Sequence, residues 1–186
     1  PAHYPAPVYR MPTALRLAYN KAAIAIGVAK GSLEVFADIA KNKIPMLTSA
    51  SLAHRGIAQY RMGVAEATYR ASRSWLMETM AALEEEMTGN DNLPGAKTTQ
   101  DARLACTHAA NECMKVVDLL HNTAGTTGMR MHSPLERKLR DSHGAATHRW
   151  VAHPLYEDLG KILLGIEAGP EFAGGAGTPI GPPGPR

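Results

Sequence analysis

The sequence predicts an all-α protein, a four-helix bundle, on three observations. Aromatic residues make up only 5% of the chain while alanine, leucine and methionine are plentiful, a mixture that fills helix interfaces better than a sheet interior. Apolar residues recur at three-and-four spacing over long windows. Proline and glycine clusters fall between those windows rather than inside them. At 186 residues the chain fits one domain with a substantial core.

Residues 1–12 hold Pro1, Pro5, Pro7 and Pro12 and read as an extended lead-in. Residues 13–165 read as the bundle. The first helix starts at Thr13, read as its N-cap, with Leu15, Ala18, Ala22, Ile26, Ala29, Leu33, Phe36 and Ala40 on one stripe. Ile24, Val28, Val35 and Ile39 form a second stripe, so this helix needs cover on two faces and predicts self-association. Pro45 stops it. Ser49 or Ser51 is placed to cap a second helix running to Met87, with Tyr60, Val64, Ala67, Ala71, Leu76, Met80, Leu83 and Met87 inward. The glutamates at 84–86 read as a solvated face, and "TGNDNLPG", residues 88–95, as a loop.

A third helix opens at "TTQD" with Thr98 or Thr99 as cap, and carries Ala102, Cys106, Ala109, Cys113, Val116 and Leu120 at heptad spacing. The two cysteines lie seven residues apart, about 10 Å of helical rise, so they cannot bridge each other and read as small core residues. A fourth helix begins at Ser133 and Pro134, an N-cap followed by an N1 proline, and is expected to run until Pro154 interrupts it. A short amphipathic piece from Leu155 to Leu164 follows. Residues 166–186, rich in glycine and proline, read as a flexible tail.

Lysines and arginines are mixed with acids despite the net charge of +3, which argues against nucleic acid as a partner. No stretch approaches eighteen apolar residues, so no membrane segment is expected, and the proline-rich start lacks the pattern of a signal peptide; the chain reads as cytoplasmic. Three of its eight histidines, His143, His148 and His153, stand at five-residue spacing. On a helix that spacing turns each ring roughly 140° from the last, unlike the three-or-four spacing of helical ligand pairs, so no metal site is expected.

Three stretches, "IAIGVAKGSLEVFADIAKNKIP", "IAQYRMGVAEATYRASRSWL" and "AGTTGMRMHSPLERKLRDSHGAATH", resemble in order the C-terminal helical domain of the acyl-CoA dehydrogenase superfamily. The resemblance runs from about Thr13 to Gly165, with small residues at Gly27 and Gly31 where helices of that domain pack closely. Dehydrogenases of the superfamily carry a catalytic glutamate, in a Glu-Gly-Thr context, about nine residues after the arginine matched here by Arg140. In this chain the ninth residue is Arg149, the eighth is His148, and no Glu-Gly-Thr follows. The sequence is instead similar to the oxygenase components of two-component flavin-dependent monooxygenases of the p-hydroxyphenylacetate hydroxylase type.

That resemblance implies a reduced flavin, FMN or FAD, a separate flavin reductase that supplies it, a small aromatic substrate, and a homo-oligomer, commonly a tetramer. It also implies that His148 faces flavin and substrate. An imidazole suits the work, because hydroxylating a phenol is helped by a group that exchanges protons near neutral pH. His143 and His153 read as structural. In relatives the loop matching Gly125, Thr126, Thr127 and Gly128 approaches the flavin of a neighbouring subunit, and its N–H groups and hydroxyls suit a flavin phosphate; a plain helix C-cap is the other reading. Arg61, Arg70, Arg73 and Arg130 read as solvated surface residues, with anion binding as the other reading. The family's N-terminal helical domain and β-domain have no counterpart in these residues, so the chain resembles the C-terminal part of a larger enzyme. An acyl-CoA dehydrogenase domain and a purely oligomerising helical module are the alternatives.

Overall fold

The first helix, α1 (Thr13–Asn42), buries Leu15, Ala18, Ala22, Ala29, Leu33, Phe36 and Ala40, following the stripe legible in the sequence. Pro12, not Thr13, is its N-cap. Ile24 is exposed while Val28, Val35 and Ile39 are half-buried against the core, so the second stripe is only partly covered. Gly27 is open to solvent, whereas a Cβ on Gly31 would strike the ammonium of Lys138. The computed structural model describes residues 6–88 and 93–168, and among these there is no β-strand. The expected tail is described only as far as residue 168, and the middle of the expected 88–95 loop lies outside the described residues.

After α1 the backbone turns extended at Lys43, two residues before Pro45, whose ring disfavours helix at the intervening Ile44. The connection makes a turn with Leu47 at φ 63° and a short 3-10 segment, Leu52–His54, before α2 (Gly56–Thr88) begins. Ser51 therefore precedes the 3-10 segment instead of capping α2; its hydroxyl pairs with Nδ1 of His54 at 3.0 Å.

The face of α2 differs from the expected one in its first half. Ala58, Ala65, Ser72, Leu76, Thr79, Leu83 and Met87 point inward, while Tyr60, Val64, Ala67 and Ala71 are exposed. Small residues let α2 lie close on the helix at 96–124, and close approach outweighs the larger apolar area of Tyr60 and Val64. The half containing Leu76, Leu83 and Met87 follows the sequence pattern.

Glu86 corrects the reading of the 84–86 run as wholly solvated. Its carboxylate accepts the N–H of Gly95, the N-cap of α3 (Ala96–Ala124), at 2.8 Å. The Thr98 hydroxyl and that N–H hold the carboxyl below its ordinary range. Thr98 thus sits inside the first turn of α3 and bonds back to α2. Arg10 donates to the carbonyl of Met87 at 2.6 Å, tying the lead-in segment to the last turn of α2.

Helix α3 is the axis of the bundle, buried on several sides and packed against α1, α2 and the later helices. Helix α4 (Pro134–Ala146) opens as expected, with the Ser133 hydroxyl accepting the Leu135 N–H. It does not continue to Pro154. The chain leaves the helix at Thr147, whose hydroxyl donates to the His143 carbonyl at 2.8 Å, and turns through 147–154 before α5 (Leu155–Leu163). The turn carries Trp150 and Val151 into the core, 8% and 0% exposed.

Candidate functional site

The turn at 147–154 is built from α3 upward. Asn111, 2% exposed, donates from Nδ2 to the carbonyl of Thr107 one turn back, at 2.8 Å, and to the carbonyl of Val151, at 2.9 Å. Two carbonyl partners demand two donors, so the amide orientation is fixed by its neighbours. The Val151 N–H in turn donates to the His148 carbonyl at 2.9 Å, and the His148 N–H to Ala145 at 3.3 Å. Beside them the Trp150 ring has the Arg149 guanidinium 4.8 Å and that of Arg103 5.4 Å from its centroid, both within cation–π range.

His148 therefore sits just past the end of α4, half-buried, on a turn and not on a helix face. The backbone N–H of Trp150 points at its Nδ1 from 3.4 Å. Burial first, then the charges of Lys21 on α1 and of Arg149, push its pKa below the ordinary imidazole value. The ring is neutral at neutral pH. With Nδ1 facing a donor, that neutral ring holds its proton on Nε2. Such a group can donate a hydrogen bond from Nε2 to an oxygen. The ninth residue after Arg140, where a dehydrogenase carries its glutamate, is Arg149, whose cation stacks on Trp150.

His143 and His153 do not join His148. Nε2 of His143 lies 2.8 Å from Oδ1 of Asp118 on α3, and the exposed ring of His153 lies against Tyr156, centroids 5.4 Å apart. Among the described residues no three His, Cys, Asp or Glu side chains converge as metal ligands. Burial pushes the thiols of Cys106 and Cys113 up to about 12, which makes them inert core residues.

The Gly125–Thr127 segment forms a 3-10 turn that closes α3. Gly125 has φ 60° and donates its N–H to the Asn122 carbonyl, and the Gly128 N–H returns to Gly125 at 2.9 Å. These two bonds make it a helix cap. Among the described residues the hydroxyls of Thr126 and Thr127 make no hydrogen bond, and Lys43 reaches across to donate to the Ala124 carbonyl at 2.6 Å. Two hydroxyls and an ammonium at one helix end are a donor set that fits a phosphate.

Elsewhere Arg61 reaches the Thr123 hydroxyl at 3.4 Å and Arg70 pairs with Glu66 at 2.6 Å. Arg70 and Arg73 line an open groove of about 450 Å³ with Lys30, Glu66, Tyr69 and Ser74.

Sequence reasoning missed Asn111, Lys21 and Lys43. Asn111 carried a signal, a lone amide four residues after a threonine inside an apolar helix, and such a residue must find partners when buried. Lys21 and Lys43 carried none, because their roles depend on which helix ends meet.

The acyl-CoA dehydrogenase C-terminal domain family matches residues 19–153 of the chain. The chain is 27% identical over 176 residues to an indole-3-acetate monooxygenase of Acinetobacter baumannii, covering 92% of this chain and 44% of that protein. It is 29% identical over 153 residues to the oxygenase component of p-hydroxyphenylacetate 3-hydroxylase of Acinetobacter baumannii, covering 80% and 35%. Among solved structures it superimposes on the HsaA monooxygenase from M. tuberculosis with a TM-score of 0.77 at 20% identity, over 90% of this chain and 42% of that one, a likeness of fold. The chain spans less than half the length of each of these proteins. With most of α1, all of α2 and α3, the glycine turn after α3 and the proline-started α4 inside the matched span, the chain belongs to the acyl-CoA dehydrogenase C-terminal domain family.

Proposed function

We propose that this chain is the C-terminal helical part of a flavin-dependent monooxygenase that hydroxylates a small aromatic substrate, a phenol or an indole, with O2 and a reduced flavin. The observation that carries this reading is the neutral, cation-flanked imidazole of His148 just past the end of α4, one residue before the position at which a dehydrogenase would hold a carboxylate. Similarity to two aromatic-acid oxygenases over most of the chain supports it. Bound reduced flavin, FMN or FAD, supplies the electrons that activate oxygen. His148 donates a hydrogen bond from Nε2 to an oxygen of the substrate and so orients it, while Trp150 and Val151 exclude water behind it.

Thr126 and Thr127, with Lys43 beside the Gly125–Gly128 turn, hold a flavin phosphate. A separate flavin reductase delivers the reduced flavin. The bundles assemble as a homotetramer, in keeping with the exposed apolar side chains of Ile57, Tyr60 and Val64 on α2.

The test uses the intact enzyme containing this chain, supplied with reduced flavin and 18O2. Label in a ring hydroxyl supports the reading, and oxidation of acyl thioesters in its place overturns it. His148→Asn should keep flavin binding and slow hydroxylation about 10²-fold, with more hydrogen peroxide released without product. An unchanged rate and coupling would remove His148 from the reaction.

A further inference from the structure

The His148 ring is aimed by a backbone turn that has no helix to hold it, and one buried side chain secures that turn. Asn111 is enclosed in α3, 2% exposed, and its amide is spent wholly on two carbonyls, one in its own helix and one, Val151, forty residues away. The bond to Thr107 is dispensable, since helix carbonyls already accept from the backbone four residues on. The bond to Val151 has no such substitute. Val151 is fully buried, and without Asn111 its carbonyl faces the apolar flank of α3. The same residue donates its N–H to the His148 carbonyl, and Trp150, its neighbour, donates toward Nδ1 of the ring.

We propose that Asn111 is a positioning residue for His148: by holding the Val151 carbonyl it keeps the Trp150 N–H on Nδ1, so that Nε2 is the nitrogen that meets a ligand. This rests on the reading of His148 given above. Without the anchor the turn relaxes, both ring nitrogens become available, and the neutral ring divides its proton between them. The charged groups that face the ring are Lys21 from α1 and Arg149 from the turn itself, and both disfavour its protonation.

The experiment reads the ring directly. In this chain, 15N NMR of His148 above its titration should show the Nε2-protonated tautomer, and the Trp150 amide should exchange with solvent slowly. In Asn111→Ser the hydroxyl still bonds one turn back in α3 but cannot reach Val151. Its His148 should show mixed tautomers and a titration moved toward that of an ordinary imidazole, with helix content by circular dichroism retained. In the intact enzyme the same substitution should lower kcat by about tenfold to a hundredfold with KM for the aromatic substrate little changed. A wild-type ring protonated on Nδ1, or a fast-exchanging Trp150 amide, overturns the inference without any variant. An Asn111→Ser chain that folds with tautomer and titration unmoved overturns it too. Failure of the reading of His148 is seen separately, as His148→Asn leaving hydroxylation intact, and failure of the monooxygenase reading as oxidation of acyl thioesters in place of hydroxylation.

Discussion

Nε2 of His143, on α4, meets the carboxylate of Asp118, on α3, at 2.8 Å, so the first of the three spaced histidines is engaged as a strut between two helices. The side chains are 48% and 35% exposed, which places the pair in the weak class of solvent-screened contacts. His143→Asn is expected to cost no more than about 0.2–1 kcal/mol of stability by denaturant titration. In the intact enzyme it should leave hydroxylation near the wild-type rate. A loss comparable to that of His148→Asn would mean that the reaction uses the other ring.

The bundle and most helix ends were legible because they depend on local rules. The Ser133 and Pro134 start of α4 and the stop near Pro45 follow from backbone sterics and capping, which the sequence states outright. The inward face of α2 was legible only where its large residues agree with close packing, at Leu76, Leu83 and Met87. At Tyr60 and Val64 hydrophobicity pointed inward while helix separation was set by Ala58, Ala65 and Ser72, and separation is a property of two helices at once. The break after Ala146 was hidden for the same reason. It exists to bury Trp150 and Val151 and to meet Asn111, a partner forty residues earlier. His148 was therefore identifiable as a candidate, but its place on a turn and the direction of its ring were not.

Glu86 gives a pH signature. The Thr98 hydroxyl and the Gly95 N–H favour its charged form, so its folded pKa lies below the unfolded one. The stabilisation is present in full above the ordinary carboxylate pKa and is lost as pH falls through the folded value. Glu86→Gln should therefore melt lower than the wild type at neutral pH, and the difference should shrink on acidification below the ordinary value of 4.5. Thermal melts of both proteins from neutral pH down to pH about 3 measure it; a difference independent of pH would exclude the carboxylate as the α2–α3 tether.

His148 gives the opposite charge change with the same direction in pH. Burial, Lys21 and Arg149 disfavour the imidazolium, so the folded pKa lies below the ordinary 6.5. Above 6.5 the ring is neutral in both folded and unfolded chains, and stability is unaffected by it. As pH falls from 6.5 through the folded value the unfolded chain takes up the proton first, and stability declines. NMR titration of the ring, compared with His148→Asn melts over the same window, checks both the shift and its sign.

Phe36 is the bulkiest of the fully buried side chains, 1% exposed in the α1 stripe that faces α3. Its truncation removes buried apolar surface and leaves a cavity that long, straight helices cannot close. Phe36→Ala should lower unfolding stability by about 3–5 kcal/mol, measured by denaturant titration. Val28→Ala, on the half-buried second stripe, should cost clearly less. Equal losses would mean that the second stripe is as deeply packed as the first.

The outer face of α2 tests assembly. Ile57, Tyr60 and Val64 share one face at three-and-four spacing and are 52%, 69% and 39% exposed. The neighbouring connection adds Met46 and Leu47, 89% and 98% exposed, and Leu47 holds a positive φ that a γ-branched residue rarely adopts. Apolar side chains left in water next to a strained backbone are the surface that a second copy of the bundle would cover. Tyr60→Glu combined with Val64→Glu puts two carboxylates on that face without touching Ala58, Ala65 or Leu76 inside. Sedimentation should show the wild-type chain as an oligomer at micromolar concentration and the double variant as a smaller species, with unchanged helix content by circular dichroism. A monomeric wild type, or a double variant that still assembles fully, would assign this face to another partner.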